Sequence, residues 1–576
     1  VKWEESKRFT KNLKKILFVF CFCFSLFGGE YLPLLLEGNK EISERELYEC
    51  VNLYKPYFYE FYKDAPAVHP KTAELLVQSI KNFYKSRGFF DARVQYTQTQ
   101  EAIVVSVCEN EPILIADLST LSELKINSQI PLKEGDTFDA QKFTQSKKDI
   151  KNFYAQKGYC HAQLKAKAWI DTEMRKAYLF YETTPNELCY FAKIEISPSQ
   201  NIESKIIESL LYIKKDDLFS MEKITQSYEN LYGYDGISKA IIDTDMDENN
   251  SVNVNVSVSE NEKPIRFQAG LGGSSDEGAM VSLGVKHRNL GGNLKTLSLN
   301  TRLTQIKQTI QTNFDMPLAN KNSTGLEAGL ANESFAGFKE KRAFGSIYLG
   351  QRIIPHSLKE SLVFDSSITY ASDDEILFPE KGLFLISPKL EYNYEKRDKI
   401  LDSSKGYFVH SEVMGSMLSE ISDASYYKYK LTGGYIIPFE PSVLGFKASF
   451  GSLHIYEGDI PSSYRFFAGG MNSNRGYGYR SLGPKNSNAD PTGSDSILEI
   501  TAEWRFFVYE NFKGVIFSDN TFISNSEVPD YERGYYSAGI GLRYITPIGP
   551  IAIDVGCDLS KPTKQYAFHF HVGELF

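Results

Sequence analysis

A chain of 576 residues is too long for one ordinary domain, so three or four units are expected. A net charge of −9 and a pI near 5.6 exclude a nucleic-acid binder that works through a basic face. Aromatic residues make up 14% of the chain, chiefly 36 Tyr and 39 Phe, a load high for a soluble protein but suited to a membrane barrel girdled at both interfaces.

At the N-terminus, Lys7, Arg8, Lys11, Lys14 and Lys15 form a basic segment ahead of an apolar run, Ile16 to Phe27, and then Gly28 and Gly29. The run has the length of a signal-peptide core and falls short of the roughly 20 residues a spanning helix needs. Residues 1–29 are therefore read as a signal peptide, with an uncleaved anchor as the alternative. No later stretch is apolar for long enough to span as a helix, so any crossing must be made by strands closed into a barrel. Beyond this segment lie Cys50, Cys108, Cys160, Cys189 and Cys557, an odd number that leaves at least one unpaired. Cys160 and Cys189 flank one predicted hairpin and are a candidate disulfide, with Cys50 and Cys108 as a second candidate. The alternative is buried, unpaired thiols.

Three segments then align without gaps: Asn82-FYKSRGFFDARV, Asn152-FYAQKGYCHAQL and Asn230-LYGYDGISKAII. In each, a Tyr (Tyr84, Tyr154, Tyr232) stands four residues before a Gly (Gly88, Gly158, Gly236). A helical pattern precedes each Gly, as in Thr72 to Lys85 and Phe143 to Gln156, and an extended stretch follows it. This spacing predicts a helix stopped by Gly in the left-handed conformation, then a strand. A second strand follows in each unit, at 102–108, 177–183 and 251–259, the last being the alternating SVNVNVSVS of a half-buried strand. The repeats are placed at 31–110, 111–187 and 188–263, each a small α+β unit.

From about Arg266 helical periodicity disappears. About sixteen extended segments follow, separated by polar turns, and residues 264–576 are read as one all-β barrel. Leu444, Phe446, Ala448 and Phe450 share one face of a segment, with Gly445, Lys447 and Ser449 on the other. Phe568, Phe570 and Val572 oppose His569 and His571, read as lumen-facing polar residues without a third metal ligand. Apolar-out, polar-in alternation is what lipid outside and water inside require. One connection, 456–495, is far longer than the rest, and a loop of that length is usually functional.

These residues resemble the outer-membrane assembly superfamily that contains BamA, TamA and the two-partner secretion transporters. The repeats resemble POTRA domains, and the C-terminal half resembles that family's sixteen-stranded barrel. The segment YRFFAGGMNSNRGYGYRSLGP (464–484) resembles its sixth extracellular loop, with Arg475, Gly476 and Tyr477 as the core motif. The resemblance implies that this loop folds back into the lumen and that Arg475 pairs with acidic wall residues. FSD at 517–519 resembles the family's F-x-D strand motif, making Asp519 the expected partner, and Glu503 matches a second acidic position. An Arg entering a confined lumen needs a carboxylate, and a bidentate pair fixes its orientation. Gly476 would let the backbone turn at the tip. Phe576, with Gly573 three before it, resembles the signal by which such barrels are themselves assembled.

The repeat count of three is closest to TamA. What the resemblance implies is a protein of the outer membrane, with its repeats in the periplasm, that inserts or translocates barrel and autotransporter clients. Docking would use the POTRA-like repeats, and the barrel would open at its seam, where Gly270, Gly272 and Gly573 weaken strand pairing. Expected partners are membrane lipid, unfolded client chains and an inner-membrane-anchored protein resembling TamB; no nucleic acid and no cofactor are expected. The alternatives are a two-partner-secretion channel, a short BamA and a passive porin, which has no use for three soluble repeats. An enzyme is not expected, because no G-x-S-x-G, H-E-x-x-H or P-loop occurs. Asp243, Asp245 and Asp247 lack the Gly and Glu spacing of a calcium loop and are read as a solvated turn.

Overall fold

The computed structural model describes residues 31–55, 66–247, 249–400, 402–417, 419–439, 442–509, 512–546, 549–562 and 565–572. The expected signal peptide, Gly573 and Phe576 lie outside the described residues. The chain divides into two compact units, one holding the first two repeats and the other most of the third repeat with the barrel.

Repeat 1 consists of β1 (Leu32–Glu37), α1 (Glu44–Cys50), β2 (Ala67–Val68), α2 (Ala73–Ser86), β3 (Arg93–Gln98) and β4 (Ile103–Cys108), with sheet order β2-β1-β4-β3. Ser43 and Glu46 form a reciprocal capping box that starts α1. Ala73, Val77, Ile80 and Tyr84 bury one stripe of α2 against the sheet, where Ile103, Val105 and Val107 of β4 alternate inward. Repeat 2 has β5 (Leu114–Leu121), α3 (Ala140–Gln156, capped by Asp139), β6 (Gln163–Asp171) and β7 (Lys176–Thr184), in order β5-β7-β6. Repeat 3 has β8 (Tyr190–Ile196), α4 (Ser204–Leu210), α5 (Met221–Tyr232), β9 (Ile237–Met246) and β10 (Ser251–Glu260), in order β8-β10-β9. Val252, Val254, Val256 and Val258 of β10 are all buried.

The repeat glycines do more than end helices. Gly88 and Gly158 take φ of +94° and +99°, as a helix stop requires. The Gly88 carbonyl accepts the Ile113 N–H of repeat 2 at 2.9 Å, and a Cβ there would lie 2.5 Å from the Phe138 oxygen. The Gly158 carbonyl accepts the Cys189 N–H at 2.8 Å, with Leu218 packed where a Cβ would be. The third repeat departs from the gapless alignment. Its helix ends at Tyr232, and Gly236 is not among the residues with positive φ. Tyr232 is 51% exposed, while fully buried Leu231 occupies the core position that Tyr84 and Tyr154 fill. Packing of the helix stripe, rather than matching letters, sets this one-residue offset. Gly236 nevertheless keeps the docking role: its carbonyl accepts the Asn261 N–H at 2.9 Å, and a Cβ would lie 2.8 Å from the Arg288 oxygen of the barrel.

Cys160 and Cys189 form a disulfide with Cα atoms 5.8 Å apart, on either side of the β6–β7 hairpin. Cys50 and Cys108, the second candidate pair, are free, as is Cys557.

Sixteen antiparallel strands close into the barrel. They are β11 (Ile265–Ser274), β12 (Gly278–His287), β13 (Thr296–Leu303), β14 (Lys307–Pro317), β15 (Asn322–Ser334) and β16 (Lys339–Ile353). Next come β17 (His356–Tyr370), β18 (Gly382–Glu395), β19 (Gly406–Ser416), β20 (Ala424–Phe439) and β21 (Ser442–Gly458). The last are β22 (Ser496–Tyr509), β23 (Phe512–Ser524), β24 (Gly534–Thr546), β25 (Gly549–Asp558) and β26 (Tyr566–Val572). Leu299, Leu330, Ile347, Phe446, Ile540 and Phe568 project outward and exposed, while Asp365, Ser449, Asp519, Asp554 and His569 are buried on the inner face. Aromatic pairs ring both ends, such as Tyr427–Tyr456 near the loop end and Tyr394–Tyr407 near the opposite end. An apolar belt between aromatic girdles is the surface a bilayer solvates. No helix among the described residues is long and apolar enough to cross a membrane.

Repeat 3 is fixed to the barrel at or beside the β12–β13 and β16–β17 turns. The Tyr212 hydroxyl accepts the Ile354 N–H at 2.8 Å, Asn293 and Glu203 exchange hydrogen bonds, and Lys286 pairs with Asp235 at 2.6 Å.

In repeat 1, buried Glu109 closes the core. Its carboxylate accepts the N–H groups of Glu41 (3.0 Å) and Ile42 (3.3 Å) and the Tyr84 hydroxyl (2.9 Å). Burial pushes its pKa up, but these donors outweigh burial and hold it below the ordinary carboxylate range. A depressed native pKa stabilises the repeat above the unfolded pKa, and that stability is lost as pH falls through the native value. Glu109→Gln is expected to cost about 1–3 kcal/mol at neutral pH. Hydrogen exchange of residues 73–86 relative to the unsubstituted chain checks this, and the gap should close as the medium is acidified below the carboxylate range.

Candidate functional site

The long connection between β21 and β22, residues 459–495, is ordered rather than loose. A short helical turn spans Ser462–Tyr464, and bridges join Phe466 to Ser494, Ala468 to Leu482 and Lys485 to Pro491. Its tip meets the inner wall formed by β22, β23, β24 and β25.

Alternation along the strands builds the receptor for that tip. Phe517 and Asp519 are two residues apart on β23, so both face the lumen, and Glu503 on β22 lies across from Phe517. Arg475 is 5% exposed. Its Nε and Nη2 donate to the two Asp519 oxygens at 2.8 and 3.0 Å, and its own backbone N–H donates to Asp519 Oδ2 at 3.0 Å. Nη1 donates to Glu503 at 2.7 Å, and the guanidinium lies 3.5 Å from the centre of the Phe517 ring. The F-x-D spacing thus supplies a π face and a bidentate acceptor to one cation. The structure therefore brings Arg475, Asp519 and Glu503 together.

Sequence reasoning missed other members. Asp554 on β25 lies 3.8 Å from Arg475 and is gripped bidentately by Arg543 at 2.6 and 2.7 Å. An acid on the inward phase of an alternating strand was the available signal. Asn474, fully buried, donates to the Tyr535 carbonyl at 3.0 Å and accepts from the Ser537 hydroxyl at 2.6 Å. A second anchor holds the loop's base: the Tyr464 hydroxyl donates to Asp365 at 2.6 Å, Ser463 bonds Glu340, and Arg342 pairs with Asp365.

Gly476 lies in the expected turn, closed by the Tyr477 N–H on the Asn474 carbonyl at 3.3 Å, but the turn is not what requires a glycine. Its φ is not positive, but a Cβ would collide with the Cβ of Ser537 and approach the Cys557 oxygen. Gly556 on β25 mirrors it, since a Cβ there would run into the Arg475 carbonyl. Two glycines let the loop backbone lie flat on the wall. Tyr477 is buried edge-on against Tyr535 at 5.6 Å.

The seam is the second part of the site. β11 and β12 pair along their whole length, from Ile265↔His287 to Ser274↔Gly278. Between β11 and β26 the described ladder is only Gly273↔Val572 and Ser274↔His571, extended by the Ser275 N–H to the Phe570 carbonyl at 2.8 Å. A Cβ at Gly272 would collide with the Val572 oxygen, so Gly272 belongs to this seam. Gly270 instead faces the Ser282 hydroxyl of β12. Gly573 and Phe576 are outside the described residues.

Comparison with known proteins follows the same division. The Omp85 superfamily domain matches residues 247–576, and a surface antigen variable number repeat, POTRA, matches 34–110, 113–185 and 189–261. The chain is 21% identical over 579 residues to the outer membrane protein assembly factor BamA of Nitratidesulfovibrio vulgaris, covering 94% of this chain and 72% of that protein. It is 19% identical over 633 residues to BamA of Neisseria meningitidis serogroup B, covering 94% and 77%. The crystal structure of BamA from Haemophilus ducreyi lacking POTRA domains 1–3 superposes with a TM-score of 0.56 at 16% identity, over 80% of this chain and 99% of that one.

Removing one partner of a buried ion pair strands the other, at a cost of about 3–5 kcal/mol. Arg475→Ala and Asp519→Ala are each expected to release the tip, read as faster proteolysis within residues 470–480 of the membrane-embedded chain. The double substitution should add little to either, and Arg475→Lys should not restore protection because the fork geometry is lost. Additive effects would show that the pair does not hold the loop.

Proposed function

The chain belongs to the Omp85 superfamily, and from that premise we propose that it is an outer-membrane assembly factor that inserts or translocates β-barrel and autotransporter chains. Its barrel sits in the outer membrane with the repeats in the periplasm, and unfolded client chains are its substrates. The work is hydrogen-bond exchange, with no covalent step. The observation that carries this reading is the seam, where the first and last strands of the barrel meet and where the described rungs are Gly273↔Val572 and Ser274↔His571, beside a lumen occupied by a pinned loop.

A backbone hydrogen bond contributes about 0.5–1.5 kcal/mol net in water, and an unpaired group in lipid costs several kcal/mol. The seam is therefore cheap to open only if another strand takes over its N–H and C=O groups. An incoming client strand does that by β-augmentation. Glycines at 272 and 273 contribute no side chains to interlock the edge. The POTRA-like repeats would guide clients, and the count of three supports a periplasm-spanning partner resembling TamB. Passage through the lumen, as a secretion channel requires, would first have to withdraw Arg475 from Asp519 and Glu503.

Cysteines introduced at the facing pair Gly273 and Val572, in a chain with Cys557→Ser, should lock the seam on oxidation. Assembly of a client barrel into the membrane is expected to fall at least roughly tenfold relative to either single-cysteine chain, about the effect of blocking one 1.4 kcal/mol step. Unchanged assembly by the locked chain would refute seam passage. Affinity capture from cross-linked envelopes tests the partner: a large inner-membrane-anchored protein is expected, and its absence removes that part of the proposal.

A further inference from the structure

The turn joining β11 to β12 carries an acid outside the loop motif. Asp276 stands where the seam ladder ends, with its side chain only 9% exposed. Its Oδ2 accepts the N–H of Met471, in the lumen loop, at 2.8 Å. Its Oδ1 lies 3.2 Å from Nδ1 of His569, on the last strand and 2% exposed. Gly470 has φ of +103°, and a Cβ there would come within 2.7 Å of Asp276 Oδ2, so the loop backbone passes as close as a glycine allows. Ser275 reinforces the spot: its N–H donates to the Phe570 carbonyl at 2.8 Å, and its hydroxyl accepts the Phe570 N–H at 3.3 Å. One carboxylate thus touches the loop and the last strand from the first hairpin.

The turn itself does not need Asp276. Ser274 caps it by accepting the Glu277 N–H at 3.0 Å, and Glu277 is engaged separately by Arg302 at 2.9 Å. The Asp276 contacts run outward, to elements on either side of the seam and in the lumen.

We propose that Asp276 is a positioning residue that couples the pinned loop to the seam. While Arg475 holds the tip on Asp519, the Gly470–Met471 backbone holds the carboxylate, and the carboxylate holds His569 beside the first hairpin. Bonds to a charged acceptor are stronger than neutral ladder rungs, so they reinforce the seam at the end where β11 turns into β12. Withdrawing the loop takes a donor from a nearly buried carboxylate and loosens its hold on β26. The loop and the seam then act as one two-state element. The inference rests on the seam opening proposed above, but it concerns seam closure and can be measured without a client.

Hydrogen exchange by mass spectrometry on the full chain in lipid nanodiscs reads it directly. Asp276→Ala is expected to speed exchange of residues 266–275 and 566–572 roughly tenfold or more, the effect of losing a hydrogen bond to a charged group, while β20 and β21 stay protected. His569→Phe should act on the same segments, and Asp276→Asn should give a smaller effect. Arg475→Ala should also speed seam exchange, and combining it with Asp276→Ala should add nothing further. Seam exchange unaltered by Asp276→Ala overturns the proposal. So do independent, multiplying effects of Arg475→Ala and Asp276→Ala, or exchange raised equally in every strand by both Asp276→Ala and His569→Phe. If instead the exchange results hold while a locked seam still assembles clients, the coupling stands and the seam-passage reading falls.

Discussion

In a bilayer each backbone N–H and C=O must find its partner inside the protein, because lipid offers none. The sixteen-stranded closure answers that demand, and every outward apolar and inward polar position follows from it. The same demand gives the seam its meaning. Where β11 meets β26, the N–H and C=O groups that pair the first strand with the last are ones that a strand from another chain can take over. A water-soluble protein would gain little from such an edge, since water would satisfy it.

The lumen supplies the opposing restraint. Arg475 is bound by Asp519, Glu503 and the Phe517 ring, with Asp554 and Arg543 completing an alternating charge array. Buried ion pairs are poor sources of net stability, but they specify one arrangement strongly because partial loss is so costly. That suits a loop that must sit in one place inside a wide barrel. The second anchor, Tyr464 on Asp365, fixes the base, so the intervening Gly470–Met471 stretch is held at both ends where it passes Asp276.

Much of this was legible in the residues. Strand number followed from alternation, because each strand separates lipid from water. Arg475 and Asp519 were legible through the resemblance of the loop and of FSD to the family's motifs, and the need of a cation in a confined lumen for a carboxylate agrees with that pairing. Tyr232 misled because gapless letters do not report which side of a helix is buried; Leu231 takes the core position. Gly476 was read as a turn glycine and does lie in a turn, but what demands a glycine is close approach to Ser537 and Gly556, visible only once β24 and β25 are neighbours. The Asp276–His569 contact joins residues almost three hundred apart in sequence, which no local pattern encodes. The repeat glycines stood between these cases: their recurrence was plain, but their second role, admitting the next unit, appeared only in the packing.

The central claim is that client strands meet the barrel at its seam and not in its lumen. Photo-crosslinking residues placed one at a time along β11 and β26, and at the lumen-facing positions Thr432 and Lys447, would capture a client stalled during assembly. The account predicts adducts concentrated at Phe267, Leu271 and Phe568, which face outward beside the seam, with Thr432 and Lys447 silent. Adducts at Thr432 and Lys447 with silent seam strands would contradict it.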